Sequence, residues 1–316
     1  MENNKRPKKI IFAGTPAFAV PSLEALIKDS RFTVVAVITQ PDMPVGRNKA
    51  IIGSPVKQCA VRHNIPILQP SSLKFIIEQI KEYEPEAIVV VAFSQLVPPS
   101  VLSIPPFGCV NLHGSLLPKY RGASVVQAPI LNGDKETGVT IMVMDEKLDT
   151  GPLLSEARYV IKDNETAESL AEELSQLGAE ILPDTLDNYL EKKLLPTPQP
   201  KDAPSVYVPR LVKADGLIDW NKEAIYLEKF VRGMTPWPSA WTWLKGKQLK
   251  ILEADNSPLP FNLHKPGKTF LYNSCLAVQC GQDSLLVKKL QLEGKKALTA
   301  QEFVRGYNDF IGQTLG

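Results

Sequence analysis

The sequence predicts an α/β protein in which a twisted parallel sheet is followed by a small β-barrel. Three observations carry this. β-branched apolar runs alternate with helical segments through the first half, the pattern of a βαβ series. Residues 196–209 (PTPQPKDAPSVYVP) hold five prolines, a density that forbids continued helix and stiffens the chain. Beyond them, short strand-like runs separated by turn residues crowd into about 100 residues, as in small barrels. With 316 residues the chain has room for two domains. The expected division is a catalytic domain over 1–195, a proline-rich linker over 196–209 and a β-barrel over 210–316.

The elements follow in order. Ile10–Ala13 is a short apolar strand running into Gly14-Thr15-Pro16, and a helix from Pro21 sets Leu23, Leu26 and Ile27 on one face. Phe32–Thr39 is β-branched and extended. Ser54 and Pro55 form an N-cap and first-turn pair for a helix to His63, and Ser71 or Ser72 opens another reaching Tyr83. Ala87–Phe93 (AIVVVAF) is an unbroken apolar run, expected of a strand covered on both faces. Gly108–Leu112 and Val139–Met144 are the next strands, with a helix around Ala123–Leu131 between them, and the series as a whole predicts parallel pairing. Thr166–Leu195 reads as helix, kinked or split at Pro183. After the prolines come a helix at Ala224–Arg232 and strands at Ala240–Leu244, Leu249–Ala254, Thr269–Tyr272, Leu276–Gln279 and Leu285–Leu292.

The net charge of +2 is unevenly spread. From Val208 onward 15 Lys and Arg face 10 Asp and Glu, a net of +5, while the preceding residues carry 21 against 24, or −3. A basic C-terminal part suits a polyanionic partner, but charge alone favours an ordinary Lys-rich surface. Cys59, Cys109, Cys275 and Cys280 have no CxxC spacing and the histidines are scattered, so no metal site is expected and the cysteines read as reduced. The apolar stretch Ile10–Ala13 is too short for a signal sequence, and no window approaches a membrane span. A cytoplasmic monomer is the expectation.

Two segments carry the chemistry. VNLHGSLLPKYRG (Val110–Gly122) and TGVTIMVMDEKLDTG (Thr137–Gly151) are β-type runs ending in polar residues and glycine. Asn111 and His113 are two apart and so share a strand face. An amide, an imidazole and the carboxylate of Asp149 are the parts needed to move an acyl group onto an amine: one stabilises an oxyanion, one moves a proton, one orients the imidazole or acts as base. Asp149-Thr150-Gly151 also fits a plain turn. Gly14 lies in AGTPAFA, which lacks the GxGxxG spacing of a dinucleotide loop. Lys119 and Arg121 suit a phosphate or carboxylate. So does the basic loop Asp42–Lys57 with Arg47, Lys49 and Lys57, which also fits a solvated surface loop.

NLHGSLLPKYRG followed by TGVTIMVMDEKLDTG resembles the folate-dependent formyltransferases. KIIFAGTPAFAVPSLEALI, TQPDMPVGRNKAIIGSPVK, DGLIDWNKEA, VRGMTPWPSAWTWLKGKQLKI and LEGKKALTAQEF extend the resemblance over nearly the whole chain, toward the branch that formylates methionyl initiator tRNA. The resemblance implies a Rossmann-like formyltransferase domain with an OB-like barrel behind it. It assigns catalysis to Asn111, His113 and Asp149, with 10-formyltetrahydrofolate as formyl donor and no metal. Folate contacts are implied at Phe93, Ser94, Gln95, Leu96, Ser115, Leu116, Leu117, Pro118, Val143, Asp145 and Leu148. Ser94 stands where the family has glycine. tRNA contacts are implied at Arg47, Lys49, Lys57, Arg121, Lys245 and Lys247. Formyl transfer to a small amine such as a nucleotide sugar, a non-catalytic RNA-binding relative, and formate-releasing hydrolysis are the alternatives.

Overall fold

The computed structural model describes residues 6–45, 50–200, 202–255, 259–260 and 262–316. The chain divides into two compact units: Met1–Gly122 with Thr137–Tyr159 and Ala171–Tyr207, and Ala123–Glu136 with Val160–Leu170 and Val208–Gly316. The division is not a simple cut at the prolines, because two short segments of the first half are grouped with the C-terminal residues.

In chain order, the first unit begins with β1 (Lys8–Gly14), α1 (Val20–Lys28) and β2 (Phe32–Ile38). The short strands β3 (Met43–Val45) and β4 (Ala50–Ile52) follow, then α2 (Pro55–Arg62), β5 (Ile67–Leu68), α3 (Ile77–Glu82), β6 (Ala87–Val91) and α4 (Pro99–Leu102). β7 (Cys109–His113) and β8 (Tyr120–Gly122) lead to α5 (Gln127–Asn132), β9 (Glu136–Val143) and β10 (Leu153–Val160). The 24-residue helix α6 (Ala167–Leu190) and β11 (Val206–Val208) follow these.

The main sheet has the order β10-β9-β7-β6-β1-β2-β5. β1 pairs in parallel with β2 and β6, β2 with β5, and β6 with β7. The parallel core agrees with the sequence reading and its edge does not: β9 runs antiparallel to β7. A parallel crossover needs its helix packed on the sheet, but α5, the helix between these strands, is grouped with the second unit. β6 is buried at every position, as its apolar run predicts. Ile11, Ala13, Ile38, Ile88, Val90 and Cys109 pack one face of the sheet together with Leu73, Ile76 and Ile80. On the other face Leu112 meets α6 at Gly178.

Local differences have local causes. α6 is continuous through Pro183, because Leu174, Leu182, Leu186 and Leu190 are all buried and their packing outweighs one missing backbone hydrogen bond. It ends at Leu190, short of the expected Leu195. The helix expected from Ser71 or Ser72 to Tyr83 is a single 3-10 turn, Leu73–Phe75, followed by α3, with Ile76 leaving helical geometry between them at φ −121° and ψ 18°. The helix expected from Ala123 begins at Gln127.

The second unit contains α7 (Ala224–Gly233), β12 (Ala240–Leu244), β13 (Lys247–Ala254), β14 (Thr269–Tyr272), β15 (Cys275–Gln279), β16 (Ser284–Leu292), β17 (Leu298–Thr299) and α8 (Ala300–Gly306). Its sheet runs β12-β13-β16-β15-β14, with β17 on β16, and these strands pair antiparallel. The last residues bridge the two edge strands. Gly312 N–H donates to Thr269 O, Thr269 N–H to Gln313 O, Leu315 N–H to Gly267 O and Gly316 N–H to Trp243 O. Polar groups that an edge strand leaves unpaired are satisfied this way. Leu227, Phe230, Val231, Ile251, Val278, Leu290, Phe303 and Phe310 fill the core. α8 is absent from the sequence reading although Thr299-x-x-Glu302 is a capping box: Glu302 N–H donates to Thr299 Oγ1 at 3.3 Å and Thr299 N–H to Glu302 Oε2 at 2.9 Å.

Thr299→Ala should therefore cost about 1 kcal/mol of stability, read from the urea unfolding midpoint. At Gly14 a Cβ would lie 2.8 Å from Phe12 Cε1 and 2.9 Å from both Ala19 Cβ and Val91 O. Gly14→Val should lose about 1–3 kcal/mol by overpacking, and a wild-type unfolding midpoint would contradict the tight closure at the end of β1.

Candidate active site

Cys109, Asn111 and His113 alternate onto one face of β7. Cys109 is in the apolar core, and the next two positions on that face turn polar while staying buried, with Asn111 at 9% and His113 at 5% exposure. A buried polar side chain needs partners, and those of His113 are explicit. Its Nε2 donates to Tyr120 O at 2.9 Å. A carbonyl only accepts, so the ring proton is held on Nε2 and Nδ1 is the nitrogen left for exchange. Nδ1 faces Asp149 Oδ1 at 3.7 Å. The Nε2–H of His113 is thus engaged by the chain itself, and Nδ1 is the nitrogen that faces the carboxylate.

The segment after β7 is tied down by hydroxyls. Ser115, fully buried, donates to the same Tyr120 O at 2.8 Å. Thr140 on β9, opposite His113 in the register, donates to Ser115 O at 2.7 Å and accepts from Leu117 N–H at 3.0 Å. Asp149, 9% exposed, arrives from the segment after β9 with a left-handed φ of 53°. Its Oδ2 accepts from Gly122 N–H at 2.8 Å, which leaves Oδ1 for the imidazole. Gly151 must be glycine, since a Cβ there would lie 1.8 Å from Val143 O.

The sequence reading missed one participant, Gln199, which belongs to the proline-rich stretch. Its Nε2 donates to Asp149 O at 3.0 Å and to Gly151 O at 2.8 Å, and its Oε1 accepts from Arg121 Nη2 at 2.7 Å. Within the first unit this stretch is held also at Thr197, which bridges to Leu153, and at Val206, whose N–H donates to Lys119 O. No signal within a polar, proline-rich sequence points to such a contact. A cavity of about 740 Å³ is lined by Arg121, Asp145, Glu146, Lys147, Thr150, Pro198, Gln199 and Ser205 among others.

The residues expected to touch a folate fall into two groups. Ser115 and Leu117 are buried in the segment after His113, with Leu116 and Pro118 partly covered beside them. After β6, Phe93 packs half-buried on the core, Ser94 is exposed, and Gln95 donates to Pro70 O at 3.0 Å. Leu96 is 85% and Leu148 47% exposed, leaving apolar surface without a partner. Val143 ends β9, and Asp145 is exposed and accepts from Thr150 Oγ1 at 2.8 Å.

Of the residues expected to meet tRNA, Arg47 and Lys49 lie outside the described residues. Lys57 is in the first turn of α2 and pairs with Asp42, the single acid of that segment. The Lys57 ammonium and then the Gln69 amide hold the Asp42 carboxyl below its ordinary value. Arg121 is occupied by Gln199. In the second unit, Lys245 pairs with Asp309 and, with Lys247, lines a cavity of about 350 Å³ beside Leu244, Leu292 and Phe310. Among the described residues one group could present three metal ligands, Glu24, Cys59 and His63. Glu24 is already paired with Arg62 at 3.3 Å and Lys28 at 3.5 Å, cations that a metal ion would have to displace.

Residues 8–186 match the family model described as formyl transferase, and residues 210–308 match that of the formyl transferase C-terminal domain. The chain is 45% identical over 313 residues to a methionyl-tRNA formyltransferase of Citrifermentans bemidjiense, covering 98% of this chain and 96% of that one. It is 41% identical over 303 residues to one of Caldanaerobacter subterraneus, covering 95% and 97%. Among solved structures, an N-formyltransferase from Helicobacter canadensis, in complex with folinic acid and dTDP-3-aminofucose, has a TM-score of 0.65 at 21% identity. It covers 89% of this chain and 99% of that one, a likeness of fold.

Replacing Thr140 by Val keeps its shape but leaves Ser115 O and Leu117 N–H without their buried partner. The loss should be about 1–3 kcal/mol, measurable by chemical denaturation. Burial pushes the Cys109 and Cys280 thiols up to about 12 and raises Cys59, whereas Cys275 is exposed. Iodoacetamide at neutral pH should thus label the native protein at Cys275 alone, and intact-mass analysis should show all four cysteines modified only after unfolding.

Proposed function

The chain belongs to the formyl transferase family, among the methionyl-tRNA formyltransferases, and from that premise we propose how its own residues move a formyl group from 10-formyltetrahydrofolate to the α-amine of methionyl initiator tRNA. The observation that carries this reading is the buried set Asn111, His113 and Asp149, with Nδ1 of the imidazole facing the carboxylate at 3.7 Å.

The amine attacks the formyl carbon, and the C=O electron pair moves to oxygen. The Asn111 amide donates a hydrogen bond to that oxygen, in a site from which water is largely excluded and where a fixed donor counts most. His113 Nδ1 accepts the proton that the amine must lose, and the imidazolium so formed lies against Asp149. His113 then returns the proton to the departing tetrahydrofolate nitrogen as its bond to carbon breaks. Throughout, Tyr120 O keeps Nε2–H engaged, so the ring does not change its face. The donor is already an activated acyl group, so its own chemistry supplies the leaving nitrogen. The residues present fit it: exposed Leu96 and Leu148 and half-buried Phe93 offer apolar contact to a flat ring system. Ser115, Leu116, Leu117, Pro118, Ser94, Gln95, Val143 and Asp145 form the remainder of the proposed donor pocket.

For the tRNA, we assign phosphate contacts to Arg47, Lys49, Lys57, Arg121, Lys245 and Lys247. The pairs Lys57–Asp42 and Lys245–Asp309 are exposed or partly so, and such pairs are weak enough for a phosphate to replace the carboxylate. Trp243, 42% exposed and two residues from Lys245, adds a stacking surface for a base. Among the described residues no helix is long and apolar enough to cross a membrane. The reaction would run where initiator tRNA is charged, in the cytoplasm.

Asn111→Ala and His113→Ala should each lower kcat for formyl transfer by about 10²–10³-fold, measured with 10-formyltetrahydrofolate and charged initiator tRNA. Near-normal turnover in both variants would overturn the assignment. Lys245→Ala and Lys247→Ala should each weaken tRNA binding and reduce the slope of log affinity against log salt by about 1. An unchanged slope would remove these residues from the tRNA surface.

A further inference from the structure

We propose that Gln199 is a positioning residue that holds Asp149 in its reactive geometry. This rests on the part assigned to Asp149 above and extends it to the proline-rich stretch after the catalytic segments.

The side chain of Gln199 reaches 50 residues back along the chain to Asp149 and 78 to Arg121. It satisfies three groups at once: Asp149 O at 3.0 Å, Gly151 O at 2.8 Å and Arg121 Nη2 at 2.7 Å. The orientation of the amide follows from its partners, because the opposite one would aim its oxygen at two carbonyls and its N–H groups at a guanidinium. Asp149 needs such a hold. Its φ of 53° lies in the left-handed region, which a non-glycine residue keeps only when its surroundings impose it. Two residues on, Gly151 lies directly against Val143 O, so the carbonyls of residues 149 and 151 bracket the strained turn. One amide clamps both.

The two ends of Asp149 are thus fixed separately. Gly122 N–H holds carboxylate Oδ2, and Gln199 holds the backbone. With the backbone released, the residue is free to relax toward the extended region, which swings the carboxylate away from His113 Nδ1. A displacement of about 1 Å at a reacting group can cost about 10²-fold in rate. The hydrogen bonds of Gln199 go to Asp149, Gly151 and Arg121, so its effect on the imidazole passes through Asp149. The prolines flanking it, Pro198 and Pro200, restrict the backbone from which the side chain extends, and Thr197 is itself bridged to Leu153.

The test is a double-mutant cycle in the full-length protein, with single-turnover formyl transfer to charged initiator tRNA, thermal midpoint and tetrahydrofolate binding measured for each variant. Gln199→Ala should slow the chemical step by about 10²-fold with folate affinity and midpoint close to wild type. Gln199→Glu keeps the shape and the Arg121 partner but faces an oxygen to the two carbonyls, so it should be at least as slow. In the Asp149→Ala background, Gln199→Ala should have little further effect. Wild-type turnover in Gln199→Glu, or full additivity of the two losses, would overturn the proposal while leaving Asp149 in place. If Asp149→Ala itself turned over normally, the catalytic reading of Asp149 would fail instead. Should Gln199→Ala unfold, the isosteric Gln199→Glu and its cycle with Asp149→Ala decide the question alone.

Discussion

The carbonyl of Tyr120 is the point on which the site is built. It accepts from His113 Nε2 at 2.9 Å and from Ser115 Oγ at 2.8 Å, using both lone pairs. The first bond sets which nitrogen of the imidazole is free, and the second returns the chain after β7 to the same atom. Both donors are buried, where an unmade hydrogen bond costs the full desolvation of the group. Tyr120 opens β8, and two residues later Gly122 N–H takes one oxygen of Asp149. A three-residue strand therefore orders the imidazole on one side and the carboxylate on the other.

Burial gives this arrangement its chemical value. Asn111, His113 and Asp149 sit at the rim of an apolar sheet face that begins at Cys109, so charge developing near them is poorly screened by water. Dipoles already oriented in such a place stabilise charge without reorganising. The cost is a set of polar groups with no freedom to be unsatisfied, and the hydroxyls of Ser115 and Thr140 with the amide of Gln199 supply the missing partners. The part after Val208 is assigned its role on another principle. Lys245 and Lys288 are exposed and paired to acids, and in the proposed reading they meet a polyanion by long-range attraction and exchange of partners.

Much of the core was legible. The apolar runs Ile10–Ala13 and Ala87–Phe93 read as strands because a buried parallel strand needs apolar residues on both faces, and β1 and β6 occupy those places. The Ser54–Pro55 start of α2 followed from capping, and Ser54 Oγ does accept from Lys57 N–H at 3.1 Å. α8 was within reach of the same argument through Thr299 and Glu302. β8, β11 and β10 were not: two are three residues long, and β10 is an edge strand whose burial alternates to solvent. The direction of β9 was also hidden, because parallel or antiparallel pairing depends on where the intervening helix packs, and periodicity within a strand carries no such information.

The sequence by itself determined that Asn111 and His113 share a strand face, since alternation is a property of any β-strand, and that an apolar α/β core stands before a basic, strand-rich part. The motifs around these residues and Asp149 were enough to identify the family. Only the tertiary structure decided which imidazole nitrogen is available, because that depends on the Tyr120 carbonyl seven residues away folding back onto Nε2. Only it made Gln199 part of the site. A hydrogen bond between residues 50 apart is set by how the chain closes in space, and neither composition nor period records that closure.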